Sequence, residues 1–238
     1  MFKTRISKCI IVYVLILASF IPFHRLLFGS GYLAKGDFSF PYSIRQIDYY
    51  IHEHSFTWNS FKGLGFEAST LQDHLYFALL IKVLSVVIPL SNIGPSWLIL
   101  NMFIMGASIY CLIYDITKRR LSGLVASLSY MYSPWILSNI LALHRGIITA
   151  YALIPFLLCS YRKSLLSSNN KLQLQYCFIS GLVLALIFID LHMSVISLIC
   201  ILVYSLLSLS KVRYVYIIRN FLIAVTVSIL LNLYWILP

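Results

Sequence analysis

Residues 74–90 read HLYFALLIKVLSVVIPL, and the side on which every later loop falls depends on whether they cross a bilayer or lie along it. As a helix, seventeen residues rise about 25 Å, short of a hydrocarbon core roughly 30 Å thick. Lys82 stands at the centre, Pro89 near the end, and Ala78, Lys82, Ser85 and Pro89 share one helical stripe. A charged residue at mid-span costs at least about 2.5–3.5 kcal/mol. A helix lying in the interface is the cheaper structure.

Working outward, six segments are apolar for about the 20 residues a span needs: 9–28, 96–115, 121–140, 144–161, 173–190 and 216–237. Residues 191–209 make a seventh, separated from its predecessor by a very tight turn. The chain therefore divides into a first span (1–28), a polar loop (29–95) and a hydrophobic remainder (96–238). The expected fold is all-α: a polytopic transmembrane bundle of about seven spans, with amphipathic interfacial helices at 42–54 and 74–90.

Composition agrees. The 238 residues are 61% hydrophobic and 11% charged, against roughly 25% charged in soluble domains. That excludes a soluble enzyme, a disordered chain, a collagen-like chain and a small disulfide scaffold. The net charge of +11 comes as short basic clusters between apolar runs, the pattern of cytoplasmic loops and not of a nucleic-acid face. Nucleic acid is not an expected partner; membrane lipid is. Cys9, Cys111, Cys159, Cys177 and Cys200 lie in or beside apolar runs without metal spacing and read as buried thiols. Lys3, Arg5 and Lys8 before the run from Cys9 resemble a secretory signal, but no small-x-small cleavage site follows. The segment reads as an uncleaved first span.

The charges test the orientation. With a cytoplasmic N-terminus and 74–90 flat, Lys3, Arg5, Lys8, Lys118, Arg119, Arg120, Arg162, Lys163, Lys171, Lys211, Arg213 and Arg219 all face the cytoplasm. If 74–90 crosses instead, the clusters at 118–120, 162–171 and 211–219 move outside, against the positive-inside rule. A version with an external N-terminus satisfies the count but must translocate three basic residues. The expected location is the cell membrane, multi-pass, N-terminus inside.

That topology collects chemistry on one face. Asp37, Asp48, Glu53, Glu67 and Asp73 are in the first outer loop, and Asp190 lies at the outer end of a span, leaving only Asp115 inside. His24, His52, His54, His74, His144 and His192 fall outside or at the outer boundary. Within the loop, Ile44, Ile47 and Ile51 form the apolar stripe of a short helix, with Arg45, Asp48 and His52 on its other sides. Residues 36–41 (GDFSFP) read as a turn presenting one carboxylate, Asp37, at the bilayer surface. The loop's aromatics suit an interfacial belt. His144-Arg145 either anchors a span at the headgroups or holds a lipid phosphate. Asp190 and His192, within apolar sequence, are candidates to line a polar path; spacing fixes no third ligand beside them, so no metal site is assigned. There is no GxGxxG, Walker A, GxSxG or HExxH motif.

The order of features, with Gly36-Asp37, Pro41, residues 130–134 (YMYSP), His144, residues 151–155 (YALIP) and residues 232–238 (NLYWILP), resembles the N-terminal part of GT-C superfamily membrane glycosyltransferases. The similarity is to the branches related to arabinofuranosyltransferases and teichoic-acid-glycosylating enzymes. It spans the whole chain as a pattern of spans with short motifs. It implies transfer of a sugar from a polyprenyl-phosphate donor to an acceptor on the outer face, with inversion. An acidic residue of the first outer loop, here Asp37, would be the general base. Arg145, with Lys35 and Arg45, would hold the lipid phosphate beside His144, Asp190 and His192. The resemblance leaves open whether a divalent metal takes part. Relatives continue through further spans, so a partner chain supplying them is one expectation. A transporter or flippase-like subunit and a non-catalytic scaffold are the alternatives.

Overall fold

A computed structural model describes residues 2–29, 34–35, 38–41, 43–54, 58–59, 66–67, 72–210 and 212–236. Its elements are α1 (Phe2–Phe20), a 3-10 turn (Ile21–Phe23) and α2 (His24–Phe28). The paired two-residue strands β1 (Ala34–Lys35) and β2 (Phe38–Ser39) precede α3 (Ile44–His54). A second pair, β3 (Trp58–Asn59) and β4 (Phe66–Glu67), precedes α4 (Gln72–Leu84). The remainder is helical: α5 (Leu90–Thr117), α6 (Arg120–Met131), α7 (Pro134–Leu141), α8 (Arg145–Leu166), α9 (Asn170–Ile187), α10 (Leu191–Leu207) and α11 (Tyr214–Ile236). Among the described residues four stretches are long and apolar enough to cross a membrane: Cys9–Phe28, Leu90–Thr117, Asn170–Ile187 and Tyr214–Leu233.

Several boundaries differ from those read in the sequence, each for a local reason. The expected helix over 74–90 ends at Leu84, and a turn over Ser85–Ile88 leads to Pro89, whose extended ψ of 139° stops it. The next helix begins six residues before the expected 96 and runs through Pro95, which near a helix start forfeits little more than one hydrogen bond. The expected single span at 121–140 breaks into α6 and α7. Pro134 opens α7 and excludes helical geometry at Ser133, which is extended (ψ 140°) and caps Ile136 N–H. Between α5 and α6 only two residues turn the chain, and Lys118 takes a left-handed φ of 56° to do so.

Short connections force the long helices to alternate in direction. One end of the bundle, the loop pole, gathers α2 to α4, α7 and the α9–α10 turn. The opposite basic pole gathers the α5–α6, α8–α9 and α10–α11 turns. α8 runs through the middle and packs on α5, α9, α10 and α11. Two apolar clusters meet on it: Met102, Met105, Met131, Ile136 and Ile148 on one side, Leu157, Leu184, Ile187 and Ile201 on the other.

Small and polar residues join the helices, as expected where lipid supplies no hydrophobic drive for association. Gly106 lies under Met131 and Leu15, Gly123 under Tyr110, and Gly181 under Val227. Ser127 donates to Gly106 O (2.9 Å), Ser108 to Ala152 O (2.9 Å), Asn220 to Ser164 O (3.0 Å) and Asn232 to Ala185 O (3.3 Å). Ser160 bonds Ser180 (2.9 Å) and Tyr161 bonds Ser205 (2.7 Å). All five cysteines are free thiols.

Candidate functional site: an apolar cleft closed by a buried arginine

At the loop pole α4, α5, α8 and α9 enclose a cleft of about 280 Å³. Its walls are Phe77 and Leu80 of α4, Trp97 of α5, Arg145, Gly146, Thr149 and Leu153 of α8, Leu186 of α9 and Ile189 beyond it. Among the described residues Arg145 is the only charged one lining it, and just 7% of it is exposed.

The turn before α8 sets Arg145 there. Leu143 is left-handed (φ 55°), His144 N–H bonds Asn139 O at 3.1 Å, and His144 Nδ1 lies 2.9 Å from Asn139 Oδ1. The next residue starts a helix aimed into the bundle. Its guanidinium carbon rests 4.2 Å from the centre of the Phe77 ring, a face-on cation–π contact that orients the planar fork. Phe77, Trp97 and Phe40 pack mutually with centroids 5.1–5.8 Å apart. Phe40 is buried and follows β2 directly, so the segment after the 36–37 pair is fastened to the cleft's aromatic wall.

Asp190 sits beside the cleft. Its Oδ1 accepts the Met193 N–H at 2.9 Å and so caps α10. Its Oδ2 approaches Gly146 closely enough that a side-chain carbon added there would lie 3.5 Å away. The carboxylate thus faces the first turn of α8, where a helix end favours negative charge. His192 is 4.0 Å from Asp190 Oδ1, but its side chain is 94% exposed. The two side chains are therefore not buried together: Asp190 is largely covered and His192 is not. Asp190 is explained by the tight turn between two helices that it caps.

The other candidates are dispersed. Arg45 is exposed on α3, which packs through the fully buried Ile47 and sends Asp48 to Lys82 Nζ at 2.7 Å. The helix expected to rest on the bilayer surface is therefore held by α4. Lys35 lies in β1 and pairs with Phe38 across the strands. Asp37, the expected general base, lies outside the described residues, as does Gly36. Among the described residues no three His, Cys, Asp or Glu side chains gather as a metal site would require.

Phe77, Trp97, Gly146 and Thr149 were not among the residues singled out from the sequence. Each is unremarkable in its own helix, and only the packing of four helices brings them together. No family model, curated protein or solved structure matches the chain. Chemically, an apolar cleft with one oriented guanidinium suits an amphiphile with an anionic head: the walls take hydrocarbon and the fork takes two oxygens of a phosphate.

Proposed function

We propose that the chain is an integral protein of the cell membrane that transfers a sugar from a polyprenyl-phosphate donor to an acceptor at the extracytoplasmic face. In this reading seven spans cross the bilayer: α1 with α2, α5, α6 with α7, α8, α9, α10 and α11. The N-terminus is cytoplasmic, the basic pole faces the cytosol as the positive-inside rule requires, and α3 and α4 lie at the outer interface.

The observation that carries the proposal is the meeting of Arg145 and Phe40 on one aromatic wall. Arg145 offers charge to a leaving phosphate. Phe40 tethers the chain three residues after Asp37, the only acid between the first span and α3. In the proposed step an acceptor hydroxyl oxygen attacks the anomeric carbon from the side opposite the phosphate. The carbon–oxygen bond to the phosphate breaks with inversion. The hydroxyl proton passes to the Asp37 carboxylate, and the new negative charge on the lipid phosphate stays against Arg145. The transport alternative would rest on Asp190, which caps α10, and on His192, whose side chain is exposed.

The test is Asp37→Asn in membranes supplied with a polyprenyl-phosphate sugar. Transfer falls by at least about 100-fold, the scale of general-base catalysis, while the protein inserts and still retains the donor lipid. Transfer at the wild-type rate would rule out the base assignment.

A further inference from the structure

A second cavity, at the basic pole, differs from the first in its lining. It holds about 340 Å³ and lies between the α8–α9 and α10–α11 turns. Ser167, Ser168, Asn170 and Gln173 line one side, Arg213 and Tyr216 the other. Arg213 is exposed at its mouth. Behind the lining, Arg219 donates to the buried Gln173 and stacks on Tyr216, 5.1 Å from the ring centre. The one carboxylate at this pole, Asp115, is already held by Arg162 (2.9 Å) and Lys118 (3.0 Å). One guanidinium, that of Arg213, and three hydroxyls therefore line one recess, with no carboxylate lining it among the described residues.

On the neighbouring side of the same first turns of α11, helices α10 and α11 leave an apolar groove of about 240 Å³ lined by Leu202, Leu206, Leu209, Tyr214, Ile218 and Leu222 among others. A free anion would use the recess alone. A lipid would use both, with its phosphate beside Arg213 and an acyl chain along the groove. We propose that this recess binds the phosphate headgroup of an anionic phospholipid, and that the groove takes one of its chains. A basic pocket between helices near the membrane surface selects such headgroups by charge, and Arg213 supplies the charge-assisted hydrogen bonds. The site is independent of the transfer chemistry at the other pole.

The experiment follows thermal unfolding of the full chain in neutral detergent while phosphatidylglycerol, phosphatidylcholine or inorganic phosphate is added. Phosphatidylglycerol at about a hundredfold excess over its dissociation constant raises the unfolding temperature by about 5–10 °C; phosphatidylcholine and inorganic phosphate leave it unchanged. Arg213→Gln weakens phosphatidylglycerol binding about tenfold or more. Lys118→Gln, which removes the same charge from the same pole away from the recess, keeps the wild-type response. Equal weakening in both variants would mean a diffuse surface field and overturn the site. A phosphate response equal to that of phosphatidylglycerol would overturn the lipid assignment, and a phosphatidylcholine response equal to it would overturn recognition by charge.

Discussion

The two poles of the bundle use arginine in opposite ways. At the basic pole, arginines are numerous, partly exposed and engaged with polar side chains: Arg162 with Asp115 and Tyr204, Arg219 with Gln173 and Asn220. At the loop pole Arg45 is exposed, but Arg145 is buried against the Phe77 ring. Many exposed cations act through their sum, which sets orientation in a membrane. A single desolvated one acts locally, because its field is not screened by water. In the proposed reading the contrast separates the end that fixes topology from the end that holds the donor lipid.

The largest effect that would break this contrast is the loss of the buried cation. Arg145→Gln should lower retention of polyprenyl phosphate by about 10- to 100-fold, the scale of a lost charge-assisted hydrogen bond. Native mass spectrometry of the purified protein with that lipid reads it directly. Arg213→Gln, at the other pole, should leave the same measurement unchanged; equal losses would show that retention follows net charge and not the cleft.

Packing offers a comparison of intermediate size. A side-chain carbon at Gly181 would sit 2.6 Å from Val227 Cβ and 2.9 Å from Ala224 O, whereas one at Gly146 meets Asp190 Cβ at an ordinary 3.4 Å. Gly181→Val should therefore destabilise the bundle by about 1–3 kcal/mol through overpacking. Gly146→Ala should change stability little while narrowing the cleft. Denaturation in mild detergent measures both, and a larger loss from Gly146→Ala would mean that the cleft region is packed as tightly as the interior.

Much of the architecture was legible because hydrophobic length and charge clustering are properties of contiguous sequence. The segments 173–190, 191–209 and 216–237 lie within three residues of observed helices, and 96–115 falls inside the longer α5. The break at Tyr132–Ser133 was written in Pro134, yet the apolar run across it masked the signal. Arg145 was found because a cation beside a long apolar run stands out. The cleft around it was not, because Phe77 and Trp97 are 68 and 48 positions away, and nothing local marks a phenylalanine that will lie under a guanidinium. Asp190 was singled out for the same reason as Arg145, an ionisable group in apolar surroundings. Hydropathy alone does not distinguish a cap from a functional group.

The smallest predicted effect bears on the stretch with which the topology began. In the structure Lys82 and Asp48 form a pair whose side chains are each about half exposed (53% and 51%), and such pairs contribute under about 1 kcal/mol. If α4 lies at the interface, Lys82→Leu removes that pair and lowers stability slightly, by a few tenths of a kcal/mol, because the ammonium already reaches water. If α4 crossed the bilayer, the same change would delete a charge that costs at least about 2.5–3.5 kcal/mol at mid-span, and the variant would be more stable. The sign therefore decides the geometry more surely than the size does. A slight loss on Lys82→Leu, followed by denaturation in bilayer nanodiscs, keeps α3, α4 and the segment ending at Phe40 on the extracytoplasmic face with Arg145. A gain would thread α4 through the membrane, reverse every later loop and leave the cleft without its side.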